Sequence, residues 1–291
     1  MSKGEIRNHK SNCPCGVCKA IRGETKGRNH PEYIERESRV CKCGCNETFI
    51  CRINSKQKFG VLKSIYEGLE SRSIQIHFND QKIQDSIDKL AWNGGISTYT
   101  CGNVCYSDFF SEIEANVGVN KSNYFISRAF DFNVSLDKNR ILRTLNINLS
   151  NSANPSLGAS GQYKTYLRVL IPQDADLLGA MILNKDIQEL LSFDIAQTVG
   201  RKEVGMYVEI LPHESKTINL RWSTNVSDSK VDSYGLFVRK QAGTENDPIN
   251  IRLSSNIPII FSNPVFSLTK QGIYTYNTDL SKDFFSRVSF K

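Results

Sequence analysis

The sequence predicts a mainly β protein of the α+β class: a small zinc-stapled module, an α/β collar and an antiparallel β-sandwich. After residue 123, short runs of alternating apolar and polar residues recur between turns, as in β-sandwiches. Before residue 59, cysteine, lysine and arginine dominate and no apolar period is sustained. Between these regions the apolar residues have helical spacing. We therefore expect domains at 1–58, 59–122 and 123–291, with 59–291 forming one unit.

The positive charge belongs to the first of these segments. The chain has 291 residues and a net charge of +7. Residues 1–58 hold 13 Lys+Arg and 6 Asp+Glu, a net of +7, and the remainder holds 37−13=24 basic and 30−6=24 acidic residues, a net of zero. So short a segment with few large apolar residues buries too little surface to be stable alone. We expect bound metal to stabilise it.

The N-terminus is polar and lacks the apolar core of a signal peptide. No run approaches the roughly 18 apolar residues of a membrane helix. As written, the sequence predicts a cytoplasmic protein without a membrane segment. In that reducing compartment, clustered cysteines favour metal over disulfides.

The first cysteine cluster reads His9-x3-Cys13-x-Cys15-x2-Cys18. Zinc prefers four nitrogen and sulfur ligands in a tetrahedron, which a short loop can place around one ion. His30 is an alternative fourth ligand. We predict a zinc site here.

The second cluster reads Cys41-x-Cys43-x-Cys45, with Cys51 further on. In an extended strand these odd positions point the same way, so a complete site needs a turn at Gly44. A single site shared between the clusters is the alternative, which leaves one or two zinc ions for the segment.

The stretches CPCGVCKAIRGETKGRNHPEYI and RVCKCGCNETFICRINSKQKF resemble the zinc-finger modules beside phage-type and mobile-intron HNH homing endonucleases. In those modules the second motif continues with Gly-His-Asn, whereas this chain reads Phe59-Gly60-Val61 and lacks the final histidine. The resemblance implies DNA contact, since basic side chains neutralise phosphates. The residues we expect to do so are Lys19, Arg22, Lys26, Arg28, Arg36, Arg39, Lys56 and Lys58. The alternative is that these are solvated surface charges.

The collar is predicted from three stretches. FGVLKSIYEGLES has helical spacing, SRSIQIHF alternates as a strand does, and NDQKIQDSIDKLAWNG predicts a helix. Asn79 or Asp80 is the expected N-cap of that helix, and Gly94-Gly95 the stop. Nine strands are expected in the sandwich, with a short helix at 185–193 and a flexible loop at 150–161. We find no internal repeat in the sequence.

No catalytic constellation is recognisable in the larger segment. His77 and His213 are isolated and are interpreted as structural or solvated. Cys101 and Cys105 are expected to form a loop pair, able to make a disulfide if the protein is exported. Arg168 is expected to form an ion pair within its sheet. The residues expected in the sandwich core are Tyr163, Tyr166, Leu167, Val169, Trp222, Tyr234, Leu236 and Val238.

Glu112, Glu114 and Asn116 alternate along one predicted strand face, near Lys121. A carboxylate pair is compatible with acid/base chemistry. At strand spacing on a half-exposed sheet, we favour solvated charge.

The stretches LESRSIQIHFNDQKIQDSIDKLAWNGGI, EIEANVGVNKSNYFISRAFDFNVSLDKN and YKTYLRVLIPQDADLLGA resemble, in order, the C-terminal half of the uncharacterised bacterial DUF4012 family. Asn116–Asn123 is the most distinctive part. Members of that family carry a membrane anchor and an extracytoplasmic region, which this sequence does not contain. The resemblance implies a non-enzymatic envelope or cell-surface domain.

Two functional hypotheses follow. In the first, a truncated envelope-type β domain is fused to a zinc-binding module, and no small-molecule substrate can be inferred. In the second, the chain is a DNA-binding accessory protein related to homing endonucleases, and its β domain is a scaffold. The resembled β family lies outside the membrane and the zinc module inside the cell, so an accidental gene fusion of two partial proteins is a third interpretation.

Overall fold

A computed structural model describes residues 55–291 except 97–99, 103, 138, 185–186, 199 and 227–230. The chain divides into two compact units, Met1–Ile65 and Tyr66–Lys291. The cleft and the sheets described below lie in the second unit.

Two α-helices lie in the predicted collar. They are α1 (Ser55–Glu70) and α2 (Gln81–Lys89). Asp80 caps α2, because its Oδ1 accepts hydrogen bonds from the backbone N–H groups of Lys82 at 2.9 Å and Ile83 at 3.1 Å. This confirms one of the two predicted N-caps. The helix ends at Leu90, before the glycines predicted to stop it.

The strand predicted at residues 71–78 is absent. Ile74 N donates to Gly68 O at 2.9 Å and Ile76 N donates to Trp92 O at 3.1 Å, so nearby loops and the end of α1 satisfy these donors instead of a neighbouring strand. Ile74 lies directly on α1, where a Cβ at Gly68 would come within 2.7 Å of it. The prediction was wrong because alternation alone does not supply a sheet edge.

Residues 105–290 form two sheets. The first has seven strands in the spatial order β12 (Ile259–Asn263), β15 (Phe284–Phe290), β10 (Ser233–Arg239), β1 (Cys105–Asn116), β4 (Tyr163–Pro172), β8 (Arg201–Ile210) and β7 (Asp194–Thr198). The second has eight in the order β13 (Ser267–Leu268), β14 (Tyr274–Asp279), β11 (Pro248–Ser255), β2 (Ile126–Leu136), β3 (Arg140–Asn151), β9 (Ser215–Asn225), β5 (Asp176–Asn184) and β6 (Ile187–Leu190). The mainly β, sandwich-like class is confirmed.

Each sheet contains one parallel pair, β1 with β10 and β2 with β11, whereas the sequence predicted antiparallel pairing. These pairs mark a repeated arrangement. β1 pairs with β4 and β2 with β3, just as β10 pairs with β15 and β11 with β14. Two four-stranded sets with the same connectivity therefore meet at a parallel seam. This repeat was not predicted from the sequence, because pairing partners are distant along the chain.

The core lies between the sheets, and seven of the eight residues predicted for it are buried there. Trp222, the largest, is fully buried and its ring centroid lies 5.8 Å from that of Phe132. Tyr166 is the exception: its side chain is on the outer face of β4, where its hydroxyl donates to Asp194 at 3.1 Å.

The helix predicted at 185–193 is wrong, since β6 occupies part of that range and pairs with β5. Leu190 is 86% exposed and Phe193 is 38% exposed, so these two described side chains supply no buried apolar face of the kind that stabilises a short helix. Strands β5, β7 and β15 were not predicted.

Candidate functional site

A polar cleft of about 740 Å³ lies at one end of the sandwich. It forms where β1 ends, β2 begins and the link between β10 and β11 passes. Its lining residues are Glu114, Asn116, Asn120, Asn123, Tyr124, Ile126, Ser127, Arg128, Tyr163, Gln241, Gly243, Thr244, Glu245, Asn246, Asp247 and Pro248. The volume lies within the roughly 300–1,000 Å³ of small-molecule sites.

Alternate side chains of β1 face the interior of the sandwich, and two of them are acidic. Phe110 faces the core, where its ring centroid lies 4.7 Å from that of Phe132. Two-residue spacing then places Glu112 and Glu114 on the same inner face. Glu112 is 4% exposed, and the side chain of Glu114 is 2% exposed. The expectation of solvated charge was therefore wrong, because this face is covered by the second sheet and its connecting loops.

Arg128 of β2 pairs with Glu114 across the two sheets. Its Nε lies 2.7 Å from Glu114 Oε1 and its second guanidinium nitrogen 2.8 Å from Oε2, a bidentate geometry. The Tyr163 hydroxyl donates a third hydrogen bond to Oε2. Burial raises the pKa of Tyr163, and the Glu114 carboxylate raises it further, so the phenol stays a donor.

Glu112 lies beside this pair, and its carboxyl has a shifted pKa. Burial raises the pKa of Glu112 well above its ordinary value, and the neighbouring Glu114 carboxylate acts in the same direction. Arg128 opposes the shift without cancelling it. The two neighbouring carboxyls therefore differ: Glu112 holds its proton more tightly than an ordinary carboxyl does, whereas Glu114 is paired with Arg128. Its Oε1 has no hydrogen-bond partner among the described residues.

The link between β10 and β11 adds a second acid and a buried cation. Burial raises the pKa of Asp247, against the opposing charges of Arg128 and Lys240. Lys240 Nζ donates to Gln241 O at 3.1 Å, to Thr244 O at 2.6 Å and to Thr244 Oγ1 at 3.0 Å. Beside the acids Glu112 and Asp247, the inner face therefore holds the Glu114–Arg128 ion pair and a lysine whose ammonium is bonded within its own loop.

The segment Asn116–Asn123, distinctive in the sequence, builds the loop beside the cleft. Asn116 Oδ1 accepts from Gly118 N at 2.9 Å and its Nδ2 donates to Asn120 O at 2.8 Å. Asn120 Nδ2 donates to Ala159 O at 3.1 Å and to Gln162 O at 2.9 Å. These asparagines therefore hold the loop in place, and their side-chain amides are committed to that role.

Tyr124 is the exposed aromatic residue of the rim. It is 86% exposed, and its ring meets that of Phe125 edge to face at a centroid distance of 5.6 Å. Its face is available for stacking. The same rim carries Ser127, Glu245 and Asn246.

A second ion pair joins the sheets near the other end of β1. Arg143 Nε lies 2.9 Å from Asp108 Oδ2, and both side chains are fully buried. Arg143 also donates to Ile141 O at 3.0 Å and to Thr224 Oγ1 at 2.9 Å. Tyr234 donates to the same carboxylate oxygen at 2.5 Å. We interpret this network as structural, because both charged side chains are fully buried and paired with each other.

The residues predicted from the N-terminal segment lie outside the described residues. These are the zinc ligands His9, Cys13, Cys15, Cys18, Cys41, Cys43, Cys45 and Cys51, and the basic residues Lys19, Arg22, Lys26, Arg28, Arg36 and Arg39. The backbones of Lys56 and Lys58 lie in α1, and their side chains also lie outside what is described. Among the described residues, no group of three or more His, Cys, Asp or Glu side chains is arranged to hold a metal.

The remaining predicted residues are placed individually. His77 and His213 are exposed, and His213 occupies a turn with φ of 61°. Cys101 and Cys105 form a disulfide, as their spacing allowed. Arg168 lies 3.9 Å from Glu203 on the adjacent strand, which confirms the predicted ion pair. Within the ranges that are described, no helix is long and apolar enough to cross a membrane.

Arg128 was missed as a site residue although a signal for it exists. It shares the phase of Ile126, Phe130 and Phe132 in β2, all of which face the core. A charge in phase with core residues must find a buried partner or lie at the mouth of the sandwich. Asp247 and Tyr124, in connecting segments, have no such signal.

The fold and cleft thus define a mainly β, sandwich-like protein with an inter-sheet polar cleft. No protein-family model and no curated protein matches the sequence. Native leukotriene A4 hydrolase from Saccharomyces cerevisiae is similar over 58% of this chain and 30% of its own, with 14% identity and a TM-score of 0.36. A Legionella pneumophila protein named as nutrient binding is similar over 64% of this chain and 72% of its own, with 10% identity and a TM-score of 0.43. These likenesses carry no argument about function.

Proposed function

We propose that Tyr66–Lys291 is a non-enzymatic binding module whose cleft takes a neutral, hydroxyl-rich ligand of the carbohydrate class. The observation that carries the proposal is a cleft of about 740 Å³ in which Arg128 is already paired with Glu114 and an exposed tyrosine stands on the rim. A preformed concave site with a few fixed polar groups is typical of small-molecule binding.

The existing contacts of the two inner cations favour a neutral ligand. Arg128 is engaged by both oxygens of Glu114, and Lys240 is engaged by three acceptors of its own loop. An anionic ligand would have to displace one of these contacts, at the cost of leaving a buried charge without its partner. A sugar requires only hydroxyl and amide partners and an aromatic face.

The position of Glu112 favours binding over catalysis. Two neighbouring carboxyls, one neutral and one ionised, are the usual equipment of acid/base chemistry. Here Glu114 accepts three hydrogen bonds from Arg128 and Tyr163. Glu112 lies behind it, against a void of about 10 Å³ that is too small for a substrate group. Neither carboxyl is placed to exchange a proton with a molecule in the cleft.

A carbohydrate-binding domain suits the resemblance to the C-terminal half of the DUF4012 family, and we propose an envelope or cell-surface role on that ground. Residues 1–58 are proposed as a fused zinc module, holding one or two zinc ions through the two cysteine clusters. The alternative is a DNA-binding accessory protein, favoured by the seven net positive charges of that segment.

The carbohydrate proposal is tested by titrating the full chain with neutral oligosaccharides, such as N-acetylglucosamine and mannose oligomers, and with sulfated ones. We expect binding to a neutral series. Tyr124→Ala should weaken it roughly tenfold and Tyr124→Phe should retain it, because stacking needs only the ring. Tyr207→Ala removes another exposed tyrosine and is the matched control. Binding confined to sulfated oligosaccharides would exclude the neutral class.

The zinc proposal is tested by metal analysis of the full chain. We expect one or two equivalents of zinc, a lower content in Cys15→Ser and an unchanged content in the control Cys101→Ser, whose side chain is in the disulfide. A full chain that copurifies with no zinc and takes up none would contradict the module. Salt-dependent retention of the protein on duplex DNA would favour the alternative function, provided that reversing the charges of Arg22 and Lys26 weakens that retention.

A further inference from the structure

A second depression of about 730 Å³ lies on the outer face of the eight-stranded sheet. It shares Ser127 and Arg128 with the cleft, so the two cavities meet near the N-terminal end of β2. Ser127 is exposed and faces outward, whereas Arg128 faces inward to Glu114. This pair therefore forms a lip between two adjoining sites.

The floor of the depression is a row of short polar side chains. Thr217 Oγ1 donates to Asn148 Oδ1 at 2.7 Å, on neighbouring strands β9 and β3. Ala129 pairs with Asn148 in register and adds a small apolar surface. Such a floor offers hydrogen-bonding groups and a methyl group without a bulky side chain.

The charges around the depression are committed within the protein. Lys216 Nζ donates to Glu209 O at 2.7 Å and lies 3.4 Å from Glu214 Oε1. The other oxygen of Glu214 accepts from Leu211 N at 2.8 Å. The depression therefore has the chemical character of the cleft: polar, open and without an unpaired buried charge.

We infer that the ligand is a linear glycan, which occupies the cleft with one part of its chain and crosses the lip at Ser127 into the depression with another. The inference rests on the proposed carbohydrate function and adds the length of the ligand to it. Two adjoining cavities of similar volume fit a chain of several sugar units better than a single sugar.

The test uses the full chain and soluble N-acetylglucosamine oligomers of one to six units, titrated by calorimetry. Affinity should rise by roughly tenfold or more between the short and the long oligomers, as a second subsite fills. Ala129→Trp places a large side chain on the floor of the depression. It should leave the affinity for the short oligomers unchanged and abolish the gain of the long ones.

Ser135→Trp is the matched control, because Ser135 lies on β2 with its side chain exposed, six residues from Ala129 and roughly 20 Å away along the strand. It should retain the gain with length. Equal affinity for all oligomers that bind, or a gain that survives Ala129→Trp, would overturn the inference and leave the proposed function intact. If an otherwise folded protein binds neither N-acetylglucosamine nor mannose oligomers of any length, that result would count against the proposed carbohydrate function itself.

Discussion

Glu112→Gln should make the protein less sensitive to rising pH. The buried Glu112 carboxyl has a pKa well above its ordinary value of 4.5, first because of burial and then because of the Glu114 carboxylate. The folded state therefore holds this proton over a pH range in which the unfolded chain has already lost it. Glutamine has nearly the same shape and no proton to lose.

The sign and size of the effect follow from linkage. When the pKa of a group is higher in the folded than in the unfolded state, the free energy of unfolding falls as pH rises from the unfolded pKa to the folded pKa. Above the folded pKa the fall ends. Between those limits one proton contributes a slope of about 1.4 kcal/mol per pH unit. Above the ordinary carboxyl pKa, wild-type protein should therefore lose stability with rising pH at up to about 1.4 kcal/mol per pH unit, a loss that Glu112→Gln does not show.

The assay is urea unfolding of both proteins at several pH values, with the free energies compared at each pH. The raised pKa of Asp247 contributes a fall in stability to both proteins. Glu203→Gln is the control, because it removes a carboxylate from a partly exposed pair with Arg168. Parallel curves for wild type and Glu112→Gln, or an equal pH-dependent difference for Glu203→Gln, would refute the reasoning.

Three further substitutions test the packing by urea unfolding. Arg143→Met should cost about 3–5 kcal/mol, because it leaves Asp108 buried without its cation; a double variant with Asp108→Asn that is no more stable would contradict this. Gly68→Ala should destabilise because its Cβ would lie 2.7 Å from a side chain, whereas Gly60→Ala, with nothing within 4 Å, should stabilise by up to about 1 kcal/mol; equal effects would be evidence against the close approach. Trp222→Ala should cost about 3–5 kcal/mol, and a loss below 1 kcal/mol would contradict its fully buried position.

Most strands of the sandwich could be predicted because their interior faces are apolar. In β3 buried positions alternate with partly or fully exposed ones through all twelve residues, and the predicted range matches Arg140–Asn151. The same rule failed at 71–78, where Ile74, Ile76 and Phe78 alternate with polar residues but form no strand. Periodicity reports which residues could share a face, whereas pairing depends on distant parts of the chain.

The candidate site was only partly predictable for a related reason. Glu112 and Glu114 were recognised as residues on one strand face, but their burial was not. The burial of these two carboxyls depends on neighbours that are distant in sequence. Arg128 belongs to the second sheet, and Asp247 lies more than a hundred residues further along the chain. The phase of Arg128 among core residues was a readable signal. The identity of its partner was not, because ion pairs between sheets leave no local pattern.

The repeated arrangement of the strands explains why the cleft lies where it does. Because β1 runs parallel to β10 and β2 parallel to β11, the links from β1 to β2 and from β10 to β11 cross between the sheets at the same end. The two links consequently lie side by side, and the cleft opens between them. The first link brings Arg128 to Glu114, and the second brings Asp247 beside both. The site is therefore a property of the seam between the two sets, and neither set contains it alone.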